Sequence, residues 1–439
     1  MADPNFTLHD AIYEAECAYV VANPRSEARW QEARALIPGG STRTSLFYTP
    51  FPLTVRRAEG ANLWDVDDHH YTDFLNDFTA GLYGHSDPVI RAAVKEALDD
   101  GVSLGANNVY ETGLAATMCA RFPSVELVRF TNSGTEGSLM SVLAARAFTG
   151  RTHVMVFEYG YHGGVFMFAP PHSELNVPLD YVMGHFNDAE RTLAAIEAHA
   201  EVLAAIVIEP VMGGGGCIPA DREFLEALRA AATRHGIVLV FDEVMTSRLS
   251  PGGMQAALDI LPDLTVFGKY VGGGMTFGAF GGRTDIMGRF DLTREGAFQH
   301  AGTFNNNVLS MAAGLAGLSK VYTAEAAQTL NDRGDDLRTA LNGAARERDL
   351  PFQVTGYGSM MNVHVRRAPI TRPQDVASAN KDALTLFHLD MLAQSQHLAR
   401  RGFMSLSLAL EQTDLDQFVM AATEFLDNRA EVLDRAQSV

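Results

Sequence analysis

The sequence predicts an α/β chain: a large part built on a mostly parallel sheet flanked by helices, and a smaller α+β part that follows it. The first observation is a set of short apolar runs, ELVRF (126–130), THVMVF (152–157), LAAIVIEP (203–210), GIVLVFDE (236–243) and LTVFG (264–268), rich in Val, Ile, Leu and Phe. The second is that helical segments separate them, which is the pattern of strands buried on both faces of a parallel sheet. The third is a change of order after residue 325. There a long helix (AEAAQTLNDRGDDLRTALNGAARE), a strand pair within PFQVTGYGSMMNVHV and a closing helix from Thr413 follow one another.

In chain order, Leu8, Ile12, Ala15 and Tyr19 recur at helical spacing. Pro24 breaks this helical arm in two, and Pro38-Gly39-Gly40 stops its second half. The pieces LTVRRAEG, ANLWDVDDHH and YTDFLND alternate as a small antiparallel element does. Within the strand–helix region, the helix after residue 220 is capped by Asp221, lined by Phe224, Leu225, Leu228 and Ala232, and ended by Gly236. No repeat, low-complexity tract or long linker interrupts the chain. The expected division is residues 1–75, a helix and segment packing with the small domain; 76–325, the large domain; and 326–439, the small α+β domain.

Composition narrows the function classes. Of 439 residues, 47% are hydrophobic and 20% charged, which is ordinary globular material. A formal charge of −19 opposes binding to nucleic acid phosphates or an anionic membrane. Cys17, Cys119 and Cys217 give neither a disulfide framework nor a CxxC metal pattern. The start MADPNFTLHDAIYEAE is acidic without an apolar core, so no secretory signal is expected. No run approaches the length of a membrane span. The expected location is the cytoplasm, with no metal.

Chemistry collects at the carboxyl ends of the predicted strands, where ligands sit in open parallel sheets. ELVRF leads to Ser133-Gly134-Thr135-Glu136, THVMVF to Tyr161-His162-Gly163-Gly164, LAAIVI to Glu209-Pro210, IVLVF to Asp242-Glu243, and LTVFG to Lys269 and Gly272-Gly273-Gly274. A glycine between two hydroxyl residues at a helix start makes a phosphate cradle, though alone it equally describes a plain N-cap. An acid ending a buried strand needs a partner, and a pyridinium nitrogen is one. Its retained proton makes pyridoxal 5′-phosphate (PLP) an electron sink. A lysine between an apolar strand and glycines is desolvated, which favours the nucleophilic amine. Taken singly, Asp242 reads as a helix cap and Lys269 as a solvated lysine; their convergence at one edge argues otherwise. Tyr161 and Val244 are placed to cover the two faces of a ring, with core packing the competing role for each. His162 reads as a structural hydrogen-bonding residue. No GxGxxG follows a first strand, which excludes a dinucleotide loop.

These residues carry a resemblance. FDEVMTSR, GKYVGGG, SGTE, GYHGG, IEPVMGG and GTFNNNVLSMAAG, in this order, are similar to motifs of the class III aminotransferases of the fold type I PLP-dependent transferases. The resemblance runs from about residue 35 to the C-terminus. It implies that Lys269 holds the cofactor as a Schiff base, that Asp242 pairs with its ring nitrogen, and that Tyr161 stacks on the ring. Ser133, Gly134 and Thr135 then hold the phosphate, and Thr303 reaches the phosphate of a neighbouring subunit, so a homodimer with interfacial sites is expected. Gly137-Ser138 and Thr246-Ser247-Arg248 depart from the commoner family residues without removing a catalytic group.

Within the family, the loop from Pro38 to Tyr48 carries its arginine three residues earlier than the PGGVNSPVRAF loop of glutamate-1-semialdehyde aminomutases. With FYTPFPLT after it, the loop resembles that of aminotransferases of aromatic β-amino acids such as β-phenylalanine. The resemblance implies that Arg43 binds a substrate carboxylate and that an arginine of Arg400-Arg401-Gly402-Phe403 serves the acceptor. Arg401 is the candidate and Arg400 the alternative. Arginine suits this because its planar fork holds a carboxylate through two bonds. Glu209 is a further substrate-side candidate, either a gating acid or an orienting one. The expected activity is ping-pong transfer of an amino group from a β-amino acid to a 2-oxo acid such as 2-oxoglutarate or pyruvate. The alternatives are an isomerase of aminomutase or racemase type, and a non-catalytic PLP-binding protein.

Overall fold

The computed structural model describes residues 6–435; residues 1–5, where the predicted N-terminal segment begins, and 436–439 lie outside the described residues. The predicted arm forms two helices, Leu8–Ala22 and Pro24–Arg34, with Pro24 opening the second. The second ends four residues before Pro38, and Pro38–Gly40 forms a single 3-10 turn. β1 (Val55–Glu59), β2 (Asn62–Asp65) and β3 (His70–Asp73) follow as an antiparallel set.

The central sheet contains β4 (Leu127–Thr131), β5 (His153–Phe157), β6 (Asp180–Gly184) and β7 (Leu203–Ile208). A short pair, β8 (Val211–Met212) with β9 (Ile218–Pro219), branches off before β10 (Val238–Asp242), β11 (Leu264–Gly268) and β12 (Gly278–Gly282) complete it. The order across the sheet is β4-β12-β11-β10-β7-β5-β6. All pairs are parallel except those of β12 with its two neighbours, so the mostly parallel α/β class is as the sequence predicts.

Two strands lack the expected signal. β12 reads GAFGG, which carries little apolar periodicity, and glycine is required there by packing. A Cβ on Gly278 would stand 2.0 Å from the Ser133 carbonyl oxygen, and one on Gly282 would stand 2.1 Å from that of Asp263. β6 is an edge strand with an alternating rather than continuous pattern. One expectation fails at the other edge. β4 is not buried on both faces, because it ends the sheet and leaves Leu127 exposed. The helix Arg222–His235 buries its predicted face and ends at Gly236 in the left-handed region, but Asp221 makes no side-chain cap bond. The Asp221 amide instead donates to Asn187 Oδ1 at 2.9 Å.

The C-terminal part holds the helix Ala324–Glu347, β13 (Gln353–Tyr357), β14 (Met360–His364), the helix Lys381–Ala393, β15 (Gln396–His397), β16 (Phe403–Ser405) and the helix Gln412–Arg435. β15 pairs in parallel with β3, stitching chain segments more than 300 residues apart into one sheet. The N-terminal helix Leu8–Ala22 packs against the helices Lys381–Ala393 and Gln412–Arg435. Among the described residues, no helix is long and apolar enough to cross a membrane.

The glycine packing has opposite expected consequences at two positions. Gly278→Ala drives a methyl into the Ser133 carbonyl and is expected to cost about 1–3 kcal/mol or more, as overpacking does. Gly343→Ala sits inside the helix Ala324–Glu347 with nothing within 4 Å of its Cβ and is expected to stabilise by about 0.5–1 kcal/mol. Denaturant midpoints of the two variants, measured against the parent chain, check both signs.

Candidate active site

β4, β5, β7, β10 and β11 run parallel, so their carboxyl ends open on one edge. Lys269 follows β11 directly and takes φ +53°, a left-handed conformation that a side chain adopts at a cost of about 1–2 kcal/mol. Its Nζ donates to the carbonyl of Phe78 at 2.7 Å. Burial drives the ammonium toward the free amine, the charges of Asp242, Asp77 and Glu209 resist, and the result is a pKa lowered to about 8.

Asp242, the last residue of β10, is 4% exposed. Its Oδ2 accepts from His162 Nδ1 at 2.8 Å and its Oδ1 from the Val244 amide at 3.0 Å. Burial opposes charge on His162, but the hydrogen bond and charge of Asp242 outweigh it and raise the imidazole pKa. Glu209 ends the β7 segment and is likewise buried. Its Oε1 accepts from the Tyr161 amide and its Oε2 from the Gly213 amide, both at 3.0 Å. Burial, with the nearby Asp242 charge, pushes its pKa up to about 7 against the lowering effect of His162 and the two amides. Tyr161, held by that bond, leaves its ring half-exposed in the cleft.

Ser133 caps the helix Gly134–Thr149, its Oγ accepting from the Glu136 amide at 3.2 Å. Thr135 Oγ1 accepts from the Gly164 amide at 3.2 Å, which fastens the cradle to the Tyr161 loop. Val244 is wedged against two glycines. Its methyls would stand 2.8 Å from a Cβ on Gly134 and 3.2 Å from one on Gly268.

Arg43 and Arg401 stand over the same ring, that of Phe78, with guanidinium carbons 5.7 and 5.6 Å from its centroid. Arg43 Nη1 pairs with Asp77 Oδ1 at 2.6 Å. Arg401 Nη1 donates to the carbonyls of Gly213 and Gly214 at 3.2 and 3.3 Å, and its guanidinium also lies over Phe403. Arg400 turns away, its Nε donating to Thr385 Oγ1 at 3.1 Å in the groove beside the first helix. Thus Ser133, Gly134, Thr135, Tyr161, Glu209, Asp242, Val244, Lys269, Arg43 and Arg401 belong to one contact chain. Thr303 does not: it is exposed in a turn, and no hydrogen bond or ion pair ties it to them.

The residues fit PLP by three observations. Asp242 uses two of the roughly four lone-pair positions of a carboxylate, leaving room for a ring N–H. The first amides of the helix Gly134–Thr149 have no acceptor within the helix and, with its dipole, suit a phosphate dianion. Lys269, whose amine has a pKa lowered to about 8, follows the strand next to that of Asp242.

Sequence reasoning missed Asp77 and Phe78, which support both arginines and receive the lysine. They lie in a run, Asn76 to Thr79, whose four residues all have positive φ (46°, 45°, 53° and 80°). Its one sequence signal is the Asn-Asp pair, since these residues tolerate the left-handed region. The Gly213 and Gly214 carbonyls were also missed, because glycines after IEPVM signal a turn rather than an arginine site.

Comparison with known proteins agrees with this geometry. Residues 45–388 match the family described as aminotransferase class-III. The chain is 46% identical over 429 residues to the β-phenylalanine transaminase of Variovorax paradoxus, covering 98% of this chain and 99% of that one. It is 36% identical over 422 residues to the glutamate-1-semialdehyde 2,1-aminomutase of Methylacidiphilum infernorum, covering 91% and 97%. The crystal structure of a β-phenylalanine aminotransferase from Variovorax paradoxus superposes with a TM-score of 0.96 at 46% identity, covering 97% of this chain and 99% of that one. The chain therefore belongs to the class III aminotransferases, PLP-dependent enzymes of the fold type I architecture.

Proposed function

We propose that this enzyme transfers the amino group of a β-amino acid, aromatic as in β-phenylalanine, to a 2-oxo acid such as 2-oxoglutarate or pyruvate, in two half-reactions of ping-pong type. The observation that carries this reading is the pair of guanidiniums over the Phe78 ring, whose own carbonyl holds the lysine amine. A donor and an acceptor that each bring a carboxylate past one amine need this arrangement. An intramolecular isomerisation does not require the second arginine. The 46% identity to a β-phenylalanine transaminase supports the donor class.

In this reading Lys269 Nζ would be the covalent anchor of the cofactor and, once free, the base that takes a proton from the substrate carbon bearing the amino group and the acid that returns it two atoms away, across the nitrogen. Bound PLP supplies the electron sink and carries the amino group between the two substrates. Asp242 would hold a proton at the ring nitrogen, while His162 Nδ1 donates to that carboxylate and orients it. Tyr161 and Val244 cover the ring faces and exclude water, and Ser133, Gly134 and Thr135 hold the phosphate. Arg43 binds the donor carboxylate and Arg401 the far carboxylate of a dicarboxylic acceptor. Glu209 orients Tyr161 and the Gly213 turn from which Arg401 is held. In the proposed division into residues 1–75, 76–325 and 326–439, the outer parts supply Arg43 and Arg401, and the large domain supplies Lys269 and Asp242 together with Asp77 and Phe78 beneath the arginines.

A homodimer is part of the proposal. The exposed Val109, Leu104 and Phe304 flank the turn that carries Thr303, and Asn108 Nδ2 ties the two segments through the Asn306 carbonyl at 2.8 Å. A second copy seated there would cover these apolar side chains and receive Thr303 at its phosphate cradle. The proposed compartment is the cytoplasm, supported by Cys17, Cys119 and Cys217 being unpaired thiols.

Incubation with β-phenylalanine and 2-oxoglutarate is expected to yield glutamate in step with keto acid. Isomerised amino acid without glutamate would assign the chain to the aminomutases or racemases instead. Arg43→Ala is expected to raise KM for the β-amino acid about tenfold to a hundredfold, the worth of a charge-assisted hydrogen bond. An unchanged KM would remove Arg43 from the carboxylate site. In the cofactor-free chain the nucleophile is the neutral Lys269 amine. Its fraction grows as pH rises, so the rate of PLP uptake should climb with a midpoint near pH 8. A rise centred near the ordinary lysine value, measured by the growth of visible absorbance, would contradict the desolvated lysine.

A further inference from the structure

Asp73, the last residue of β3, is 2% exposed and carries more hydrogen bonds than any strand end requires. Its Oδ1 accepts from the amides of Leu75 and Asn76 at 2.9 and 3.1 Å and from His397 Nδ1 at 3.0 Å. Its Oδ2 accepts from His85 Nε2 at 2.9 Å. Burial by itself would raise the carboxyl pKa, but the bonds from His397 and His85 more than offset it and hold Asp73 well below the usual carboxylate range. An ionised carboxylate only accepts, so both imidazoles must be donors here. The two histidines come from opposite ends of the chain, one ahead of the helix Pro88–Asp100 and one on β15.

What this clamp grips is the left-handed run Asn76 to Thr79. A backbone of this kind persists only where its surroundings over-determine it. Here Asn76 Nδ2 donates to the carbonyls of Asp73 and Ser405 at 3.0 and 2.7 Å, and Ser405 Oγ donates to that of Leu75 at 2.9 Å. From the far end of the run come the Asp77 carboxylate on Arg43, the Phe78 ring under both arginines and the Phe78 carbonyl on Lys269.

We propose that the His85–Asp73–His397 clamp is a positioning device for the amino transfer: by fixing the strained run that follows it, the clamp sets where the free Lys269 amine rests and where the two guanidiniums meet their carboxylates. The proposal rests on the aminotransferase reading and extends it to residues that touch neither substrate nor cofactor. It joins the N-terminal segment to the C-terminal part at the one place where both contribute an arginine.

The test uses paired substitutions in the holoenzyme. His397→Asn returns a donor near Nδ1 and His85→Gln one near Nε2, whereas His397→Leu and His85→Leu return none. The leucine variants are expected to raise KM for both carboxylate substrates about tenfold to a hundredfold, the effect of small misplacement, with kcat less affected. They should also shift the pH at which the visible cofactor band titrates, and the amide variants should restore both. Hydrogen exchange should quicken in residues 74–80 of the leucine variants and stay unchanged in the central sheet. Leucine variants with parental KM and band titration would overturn the proposal. So would exchange that quickens throughout the fold with no rescue by the amides. If a leucine variant does not fold, the parent decides: slow exchange of the Leu75 and Asn76 amides supports the clamp, and free-loop exchange refutes it. The band titration and exchange need no substrate, so a failure with β-phenylalanine would strike the donor assignment and leave the clamp decided separately.

Discussion

Three carboxylates act on the Lys269 amine, yet the hydrogen bond it makes goes to a neutral carbonyl. Each acid is engaged elsewhere: Asp242 by His162 and the Val244 amide, Glu209 by two backbone amides, Asp77 by Arg43. Had one of them closed an ion pair with the lysine, the ammonium would be stabilised and the nucleophile lost. Prior engagement leaves the acids near enough to steady the charged form but not to trap it, so burial wins by a modest margin. The proposed reaction depends on this balance, because in it the same amine would be protonated and deprotonated within one turnover.

The balance requires close packing, and glycine supplies it where strand ends meet. Gly134 and Gly268 admit the two methyls of Val244, and Gly278 lets β12 pass against the Ser133 carbonyl. These contacts bring the phosphate cradle, the acid strand and the lysine strand to van der Waals distance. A cradle displaced by a single methyl would leave Lys269 and Asp242 facing a cofactor that its phosphate no longer registers.

The parts of this arrangement legible in the sequence are those written as runs. Strands β5, β7, β10 and β11 announce themselves through unbroken apolar stretches because both of their faces are covered, and the residues after them inherit their position from the sheet. β12 hides because its glycines answer a neighbour's backbone, which no periodicity records. Asp221 looks like a cap, yet its amide finds Asn187 and its side chain makes no cap bond. Asp77 and Phe78 escape for a further reason: they sit on a left-handed backbone that Asp73, the nearby His85 and the distant Ser405 and His397 are proposed to fix. Long-range constraint of this kind has no local signature beyond the tolerance of Asn and Asp for positive φ.

The molecule thus divides its labour along the chain. The central sheet positions Asp242, Lys269 and the turn Ser133-Gly134-Thr135, the groups proposed to hold the cofactor. The residues proposed to bind carboxylates, Arg43 and Arg401, and the Phe78 ring beneath them stand on segments outside the central sheet. β15 completes the N-terminal sheet and Ser405 of β16 bonds the backbone before Asn76, so hydrogen bonds as well as the shared ring join the two segments. On the proposed reading, a change in either segment reaches both arginines through their shared ring and the Lys269 amine through the Phe78 carbonyl. Phe78 joins the two parts of the site: its ring lies under both guanidiniums while its carbonyl accepts from Lys269 Nζ, so in the proposed function a carboxylate held by either arginine would bear on the lysine through this residue.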